Sequence, residues 1–203
     1  MGTPPENILD LYERHAAGWD EDRQHQRPQG EQAWIRRFTD LAEPGARLLD
    51  IGCGSGYPIT PDLLAAGHTV TGVDGAPSLI ALCRQRFPDQ DWQVADMRRL
   101  DLGRRFGGAL AWHCLFHLSP DDQAQMFPVF SRHLAPGAPL MFTSGTERGE
   151  TIGQWRGEPL YHASLSLQDY EDLLDANRLS LLVRAESDAD CGGATIWLAR
   201  RDG

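Results

Sequence analysis

Residues 48–58, LLDIGCGSGYP, set Gly52, Gly54 and Gly56 among small residues directly after an apolar run that carries Asp50. A glycine lacks Cβ, so such a turn reaches unusual backbone angles and lets another group lie on the main chain. The spacing is GxGxG, not the GxGxxG of a dinucleotide turn, and no lysine follows as a phosphate-cradling loop requires. Two further acids stand downstream: Asp74, followed by Gly75, and Asp96, followed by Met97. Asp74 comes 22 residues after Gly52, where doubly wound folds place the carboxylate that accepts from adjacent ribose hydroxyls. Asp96 and Met97 suit an exocyclic amino group and the face of its ring. Singly, each acid is an ordinary strand-end or capping residue. At three successive strand ends they point together to a nucleoside-like ligand. Cys53, inside the turn, is accounted for by its small size.

Strands alternating with helices must position these residues. Residues 46–51, 68–74, 91–96, 107–113 and 138–144 read as strands, and 61–66, 77–86, 121–134 and 166–179 as helices. Thr60 before Pro61 reads as a helix start, and Ser166 with Asp169 as an N-cap. Asp121 and Asp122 look like capping acids rather than metal ligands. Residues 179–185 and 194–200 close the chain as two strands with only a loop between them, so one is reversed. The pattern predicts an α/β, Rossmann-like, doubly wound and mostly parallel seven-stranded sheet with a reversed final strand and helices on both faces. Ahead of it, residues 7–17 and 31–41 read as helices, the second with Trp34, Ile35 and Phe38 inward, and residues 20–30 as a charged loop.

With 203 residues, 41% of them hydrophobic, the chain fits one domain, residues 1–203, around a substantial core. The net charge of −10 argues against a nucleic-acid partner, whose phosphates need a basic surface. There are 19 arginines and no lysine, which removes Schiff-base chemistry. Four cysteines without CxxC spacing read as reduced thiols of a cytoplasmic protein, with no metal site. No apolar run approaches membrane-spanning length and the first 30 residues are polar, so neither a membrane anchor nor a secretory signal is expected.

LLDIGCGSG, VTGVD, VADM and LAPGAPLMFTS resemble the successive motifs of the class I S-adenosylmethionine-dependent methyltransferases, a similarity running from about residue 46 to the C-terminus. The resemblance implies S-adenosylmethionine as cofactor and S-adenosylhomocysteine as product. By position it implies that Gly52, Cys53, Gly54 and Gly56 border the methionine and ribose, that Asp74 with Gly75 holds the ribose, and that Asp96 with Met97 binds adenine. Asp50 is expected to order the turn through backbone amides. Residues 1–45 resemble the lid segment, where Trp19 and Tyr12 would close over the cofactor and Arg23 or Arg27 would meet a carboxylate.

The methyl group is then expected to face residues 111–117, AWHCLFH. The Asn/Asp-Pro-Pro-Tyr of amine-methylating relatives is missing there, and no Pro-Cys nucleophile occurs anywhere, so the acceptor is expected to be a small molecule reacting through oxygen or nitrogen. His113 and His117 are candidate bases, because imidazole titrates near neutrality, and His162 is a third on an insertion near 145–165 expected to cover the acceptor. A packing role stays open for each. Trp112 stands against the adenine, the acceptor or the core, and Cys114 reads as a small buried residue. Two other readings remain: an NAD(P)-dependent oxidoreductase, and a module that binds the cofactor without chemistry. Oligomeric state is not legible.

Overall fold

A computed structural model of the chain describes residues 7–203, so the first six residues of the expected lid lie outside it. Its strands are β1 (Arg47–Ile51), β2 (Thr69–Asp74), β3 (Asp91–Val94), β4 (Gly108–Ala111), β5 (Pro139–Ser144), β6 (Gly149–Trp155), β7 (Glu158–Ser164), β8 (Leu179–Asp188) and β9 (Ala194–Arg201). Its α-helices are α1 (Ile8–Arg14), α2 (Ala16–His25), α3 (Glu31–Thr39), α4 (Ile59–Ala65), α5 (Pro77–Arg86), α6 (Pro120–His133) and α7 (Leu167–Ala176).

Seven strands form one sheet in the order β3-β2-β1-β4-β5-β9-β8. The first five run parallel, and β9 pairs antiparallel with both β5 and β8, so the final strand is the reversed one, as the sequence predicts. Strands β4 and β5 are buried along their whole length because helices cover both faces of the sheet. On one face Phe127 and Phe130 of α6 and Tyr170 of α7 pack with Phe142 and Trp197, whose rings stack at 5.6 Å. On the other, Trp34, Ile35 and Phe38 of α3 point inward as expected, beside Leu63 of α4 and Ile80 of α5. Strand order reverses between β1 and β4, which opens a crevice at their carboxyl ends. None of the described helices is long and apolar enough to cross a membrane.

Three local expectations are corrected. The charged stretch 20–30 is not a loop throughout: α2 runs through Ala16–His25, which leaves residues 26–30 as the loop. It has no apolar stripe to reveal it, and its polar side chains are fixed by partners distant in sequence. Asp20, for example, takes both guanidinium nitrogens of Arg86 at 2.6 Å. Helix α4 starts at Ile59, so Pro61 still falls in its first turn, but Thr60 is buried within the helix and caps nothing. The insertion near 145–165 is a separate β6–β7 hairpin whose turn, Arg156 and Gly157, has positive φ at both positions. Strand β6 is largely exposed, so it shows no apolar alternation to recognise.

One contact ties the N-terminal helices to the sheet. The Glu31 carboxylate, wholly buried at the start of α3, is gripped by Arg23 of α2 and by Arg27 at 3.0 Å, and accepts from Trp112 Nε1 at 2.7 Å. Arg27 continues to Asp62 on α4. A buried charge is tolerable only with this degree of pairing. Glu31→Ala should therefore lower the urea unfolding free energy by about 3–5 kcal/mol, the range for breaking a buried pair. A loss below about 1 kcal/mol, typical of exposed pairs, would show that the hub carries little of the stability.

Candidate active site

The glycine turn is held from below by β2. The amides of Gly52 and Cys53 both donate to Val73 O, at 2.8 and 3.0 Å, and the Gly54 amide donates to Asp74 Oδ2 at 2.9 Å. The other oxygen of Asp74 accepts from the Ala76 amide at 2.9 Å. Burial raises the pKa of Asp74, and the amides of Ala76, Gly54 and Gly75 pull against that rise. All three glycines have left-handed φ, at +70°, +56° and +77°. The protein itself uses their bareness. A Cβ on Gly54 would stand 2.3 Å from Trp19 Cη2, and one on Gly52 would stand 2.6 Å from Cys114 Cβ. Trp19 of α2 thus lies directly on the turn.

A cavity of about 380 Å³ opens along this turn. Gly52, Cys53, Gly54, Asp74 and Gly75 line it, as do Asp96, Met97, Trp19 and Trp112. Gly56 does not: it faces Thr60 and Phe87, because the turn has already bent back toward α4. Asp96 lies beyond the end of β3, where its Oδ1 caps the amide of Arg98 at 3.0 Å and its Oδ2 takes Arg98 Nη2 at 2.6 Å. Burial opposes its charge, but the Arg98 bonds outweigh it and hold the carboxyl below its usual range.

Asp50 departs from its expected role. The turn amides go to Val73 and Asp74, and Asp50 Oδ2 is buried with no hydrogen-bond partner among the described residues. Burial, with Asp74 and Glu31 nearby, lifts its pKa to about 7, although Arg23 counters in part. It lines the cavity. Arg23 and Arg27 are already committed to Glu31.

The three histidines converge on the same cavity and differ in their bonding. His117 has both ring nitrogens engaged: Nδ1 lies 3.0 Å from Tyr161 O, and Nε2 lies 2.8 Å from Tyr12 Oη. A carbonyl only accepts, so Nδ1 carries the proton and Nε2 accepts from the Tyr12 hydroxyl. Burial depresses the His117 pKa to about 4 despite the Tyr161 carbonyl. His113, just past β4, has a left-handed φ of 53°, held by its amide donating to Thr143 Oγ1 at 2.9 Å. Its imidazole makes no hydrogen bond within the described residues, and burial, then Arg23, depresses its pKa to about 4. His162 sits half-buried on β7, and burial lowers its pKa as well.

Phe116 of the lining, and several residues around the cavity, escaped the sequence reading. Phe116 sits among all three histidine rings, at 6.1, 4.7 and 5.4 Å from His113, His117 and His162. Trp155, at the end of β6, stacks on Tyr12 at 5.7 Å. At the same hairpin tip, Arg156 bonds Gly18 O at 2.9 Å and Asp22 at 3.0 Å, and Glu158 pairs with Arg14 at 2.5 Å and with His15. Only the Arg-Gly turn and the neighbouring aromatics hinted at this in the sequence.

Comparison with known proteins agrees with this architecture. A family model described as a methyltransferase domain matches residues 48–137. A dTDP-3-amino-3,6-dideoxy-alpha-D-glucopyranose N,N-dimethyltransferase of Streptomyces fradiae is 32% identical over 132 residues, covering 63% of this chain and 48% of that protein. The match thus spans about half the length of that relative. Among solved structures, an amino pentose methyltransferase from Micromonospora echinaspora with S-adenosylmethionine bound superposes with a TM-score of 0.71 at 19% identity, covering 91% of this chain and 96% of that one. The CcbJ methyltransferase from Streptomyces caelestis gives a TM-score of 0.76 at 16% identity, covering 99% and 100%. Sheet order and these neighbours agree on the fold: the chain has the architecture of S-adenosylmethionine-dependent methyltransferases, and the stretch from β1 to the turn before β5 matches a methyltransferase domain.

Proposed function

We propose that this chain transfers a methyl group from S-adenosylmethionine to an oxygen or nitrogen of a small-molecule acceptor and releases S-adenosylhomocysteine. The observation that carries the reading is the orphaned Asp50 oxygen in the cavity wall. A buried carboxylate without a partner is costly, and a ligand ammonium group satisfies it. The cofactor's amino-acid end brings an ammonium group; a nicotinamide dinucleotide brings none. Asp74 keeps lone pairs free for two ribose hydroxyls while its amide bonds fix its orientation. Asp96 and Met97 would take the adenine, and Trp19 would close over the turn.

When bound, the cofactor supplies a sulfonium methyl group as electrophile. The chain's part is then alignment, which can account for much of the rate of an in-line displacement. His113 is the residue suited to orient the nucleophile. Its imidazole is neutral near pH 7 and unbonded, and it stands on a strained backbone that Thr143 stabilises. It accepts a hydrogen bond from the acceptor's O–H or N–H and so turns the nucleophilic lone pair toward the methyl group. His162 is a second candidate on the facing hairpin. His117 holds Tyr12, and through it the lid, rather than handling the acceptor's proton. The N,N-dimethyltransferase among the relatives favours nitrogen as the nucleophile.

Calorimetric titration with S-adenosylmethionine, S-adenosylhomocysteine and NADH should give binding of the first two on the order of micromolar and none of the third. Binding of NADH alone would overturn the proposal. Asp50→Asn should weaken S-adenosylhomocysteine binding by roughly 10–100-fold, the worth of a hydrogen bond to a charged group; unchanged affinity would remove Asp50 from the site. His113→Ala should lower turnover by about 10²-fold or more with cofactor affinity nearly intact, and equal turnover would leave His113 a packing residue.

The His117 imidazole also makes stability pH-dependent. Its folded pKa of about 4 lies below the ordinary 6.5, so between those values the unfolded chain binds more protons and stability falls as pH is lowered. Urea unfolding should show about 2 kcal/mol lost to this group between pH 7 and pH 5, and His117→Gln should remove that share. An identical acid loss in both proteins would assign it elsewhere.

A further inference from the structure

The cavity continues beyond the glycine turn and the strand-end acids into a part lined by Tyr12, His113, Phe116, His117, Leu160 and His162. Five of these six side chains are flat rings, and they adjoin one another. Phe116 and His162 lie 5.4 Å apart with planes tilted by 34°, His117 and His162 lie 4.9 Å apart at 41°, and Tyr12 meets His117 at 5.3 Å. The charged side chains of the described lining stand on other elements: Arg23 on α2, Asp50 on β1, Asp74 on β2, and Asp96 and Arg98 just past β3. Arg23 is bound to Glu31, and Arg98 to Asp96 and, at 3.5 Å, to Asp122. Asp74 holds two amides, and the proposed function gives Asp50 to the cofactor.

The ring wall therefore brings no net charge of its own. Burial lowers the pKa of all three histidines, so each is neutral near pH 7 and offers a ring face or edge, not a cation. The same desolvation disfavours a charged acceptor. A carboxylate would lie against ring faces and acceptor nitrogens with no free guanidinium to meet it. An ammonium would need a carboxylate, and the three in the described lining stand on the cofactor side: Asp50 is given to the cofactor, Asp74 holds two amides and Asp96 holds Arg98. A flat uncharged ring instead meets Phe116 and the imidazoles by stacked and edge contacts, each worth a modest gain beyond area burial. A hydroxyl or amine on that ring can donate to the unbonded nitrogen of His113.

We infer that the acceptor enters as an uncharged planar ring, a phenol-like hydroxyl or an unprotonated aryl amine, stacked on the wall built around Phe116 and His162. This rests on the methyltransferase reading for the place of the cofactor, and it extends that reading to a substrate class.

The test is a series of probes titrated into the protein saturated with S-adenosylhomocysteine. 2-Naphthol supplies the flat neutral ring, 2-naphthoate and 2-naphthylmethylammonium add either charge to the same ring, and cyclohexanol keeps the hydroxyl without the flat face. 2-Naphthol should bind at least about tenfold tighter than each of the other three. Phe116→Ala and His162→Ala should each weaken 2-naphthol by about tenfold, with affinity for S-adenosylhomocysteine unchanged. Equal or tighter binding of a charged naphthyl probe or of cyclohexanol would overturn the inference. So would 2-naphthol binding that ignores both substitutions, or no binding of it at all. If S-adenosylhomocysteine itself fails to bind, the cofactor reading falls, and the same series on the unloaded protein still decides whether the wall selects neutral flat rings.

Discussion

A carboxylate removed from water, Glu31, ties helices α2 and α3 to the sheet. It draws Arg23 from α2, Arg27 from the segment after it and the indole N–H of Trp112 from beyond β4 onto one point. Helix α2 is anchored a second time through Asp20, which takes Arg86. That docking lays Trp19 on Gly54, and the same contact fixes Trp112, whose neighbour His113 needs a rigid support for its left-handed backbone. A hub of this kind adds little net stability compared with apolar packing. Its value is geometric, because breaking any one arm strands a charge.

Around the turn, negative charge accumulates by design of the chain order. Asp50, Asp74 and Glu31 approach from β1, β2 and α3, and burial with mutual repulsion raises the pKa of Asp50 toward neutrality. Asp74 is compensated by backbone amides, and Glu31 by arginines. Asp50 alone is left uncompensated, which makes it the place where a cationic ligand gains most.

The opposite side of the cavity is assembled from segments far apart in the chain. Tyr12 comes from α1, His117 from the turn after β4 and Tyr161 from β7, joined by two hydrogen bonds through one imidazole. Outside them the hairpin tip bonds the lid through Arg156 and Glu158. The inner contacts are buried and directional and the outer ones are more exposed ion pairs, so the rings set geometry and the charges contribute weakly and with salt sensitivity.

Residue order alone determined the alternation of strands and helices, the parallel sheet with its reversed last strand, and the acids and glycines at strand ends. These features follow from local patterning: apolar runs of strand length, glycine at turns and a carboxylate at or near the ends of β1, β2 and β3. Capping at Ser166 was equally legible, because it depends on neighbours three residues apart. Helix α2, the β6–β7 hairpin and the ring wall were decided by tertiary structure alone. Their residues have no amphipathic period, and they are stabilised by partners up to 144 positions away, as between Arg14 and Glu158. The hydrogen-bond partners of each acid were decided in the same way. Sequence placed Asp50, Asp74 and Asp96 near equivalent strand ends, but amides reach one, a guanidinium reaches another, and among the described residues no hydrogen bond reaches Asp50 Oδ2. Hydrogen-bond donors are allotted in three dimensions, and a one-dimensional pattern does not carry that allocation.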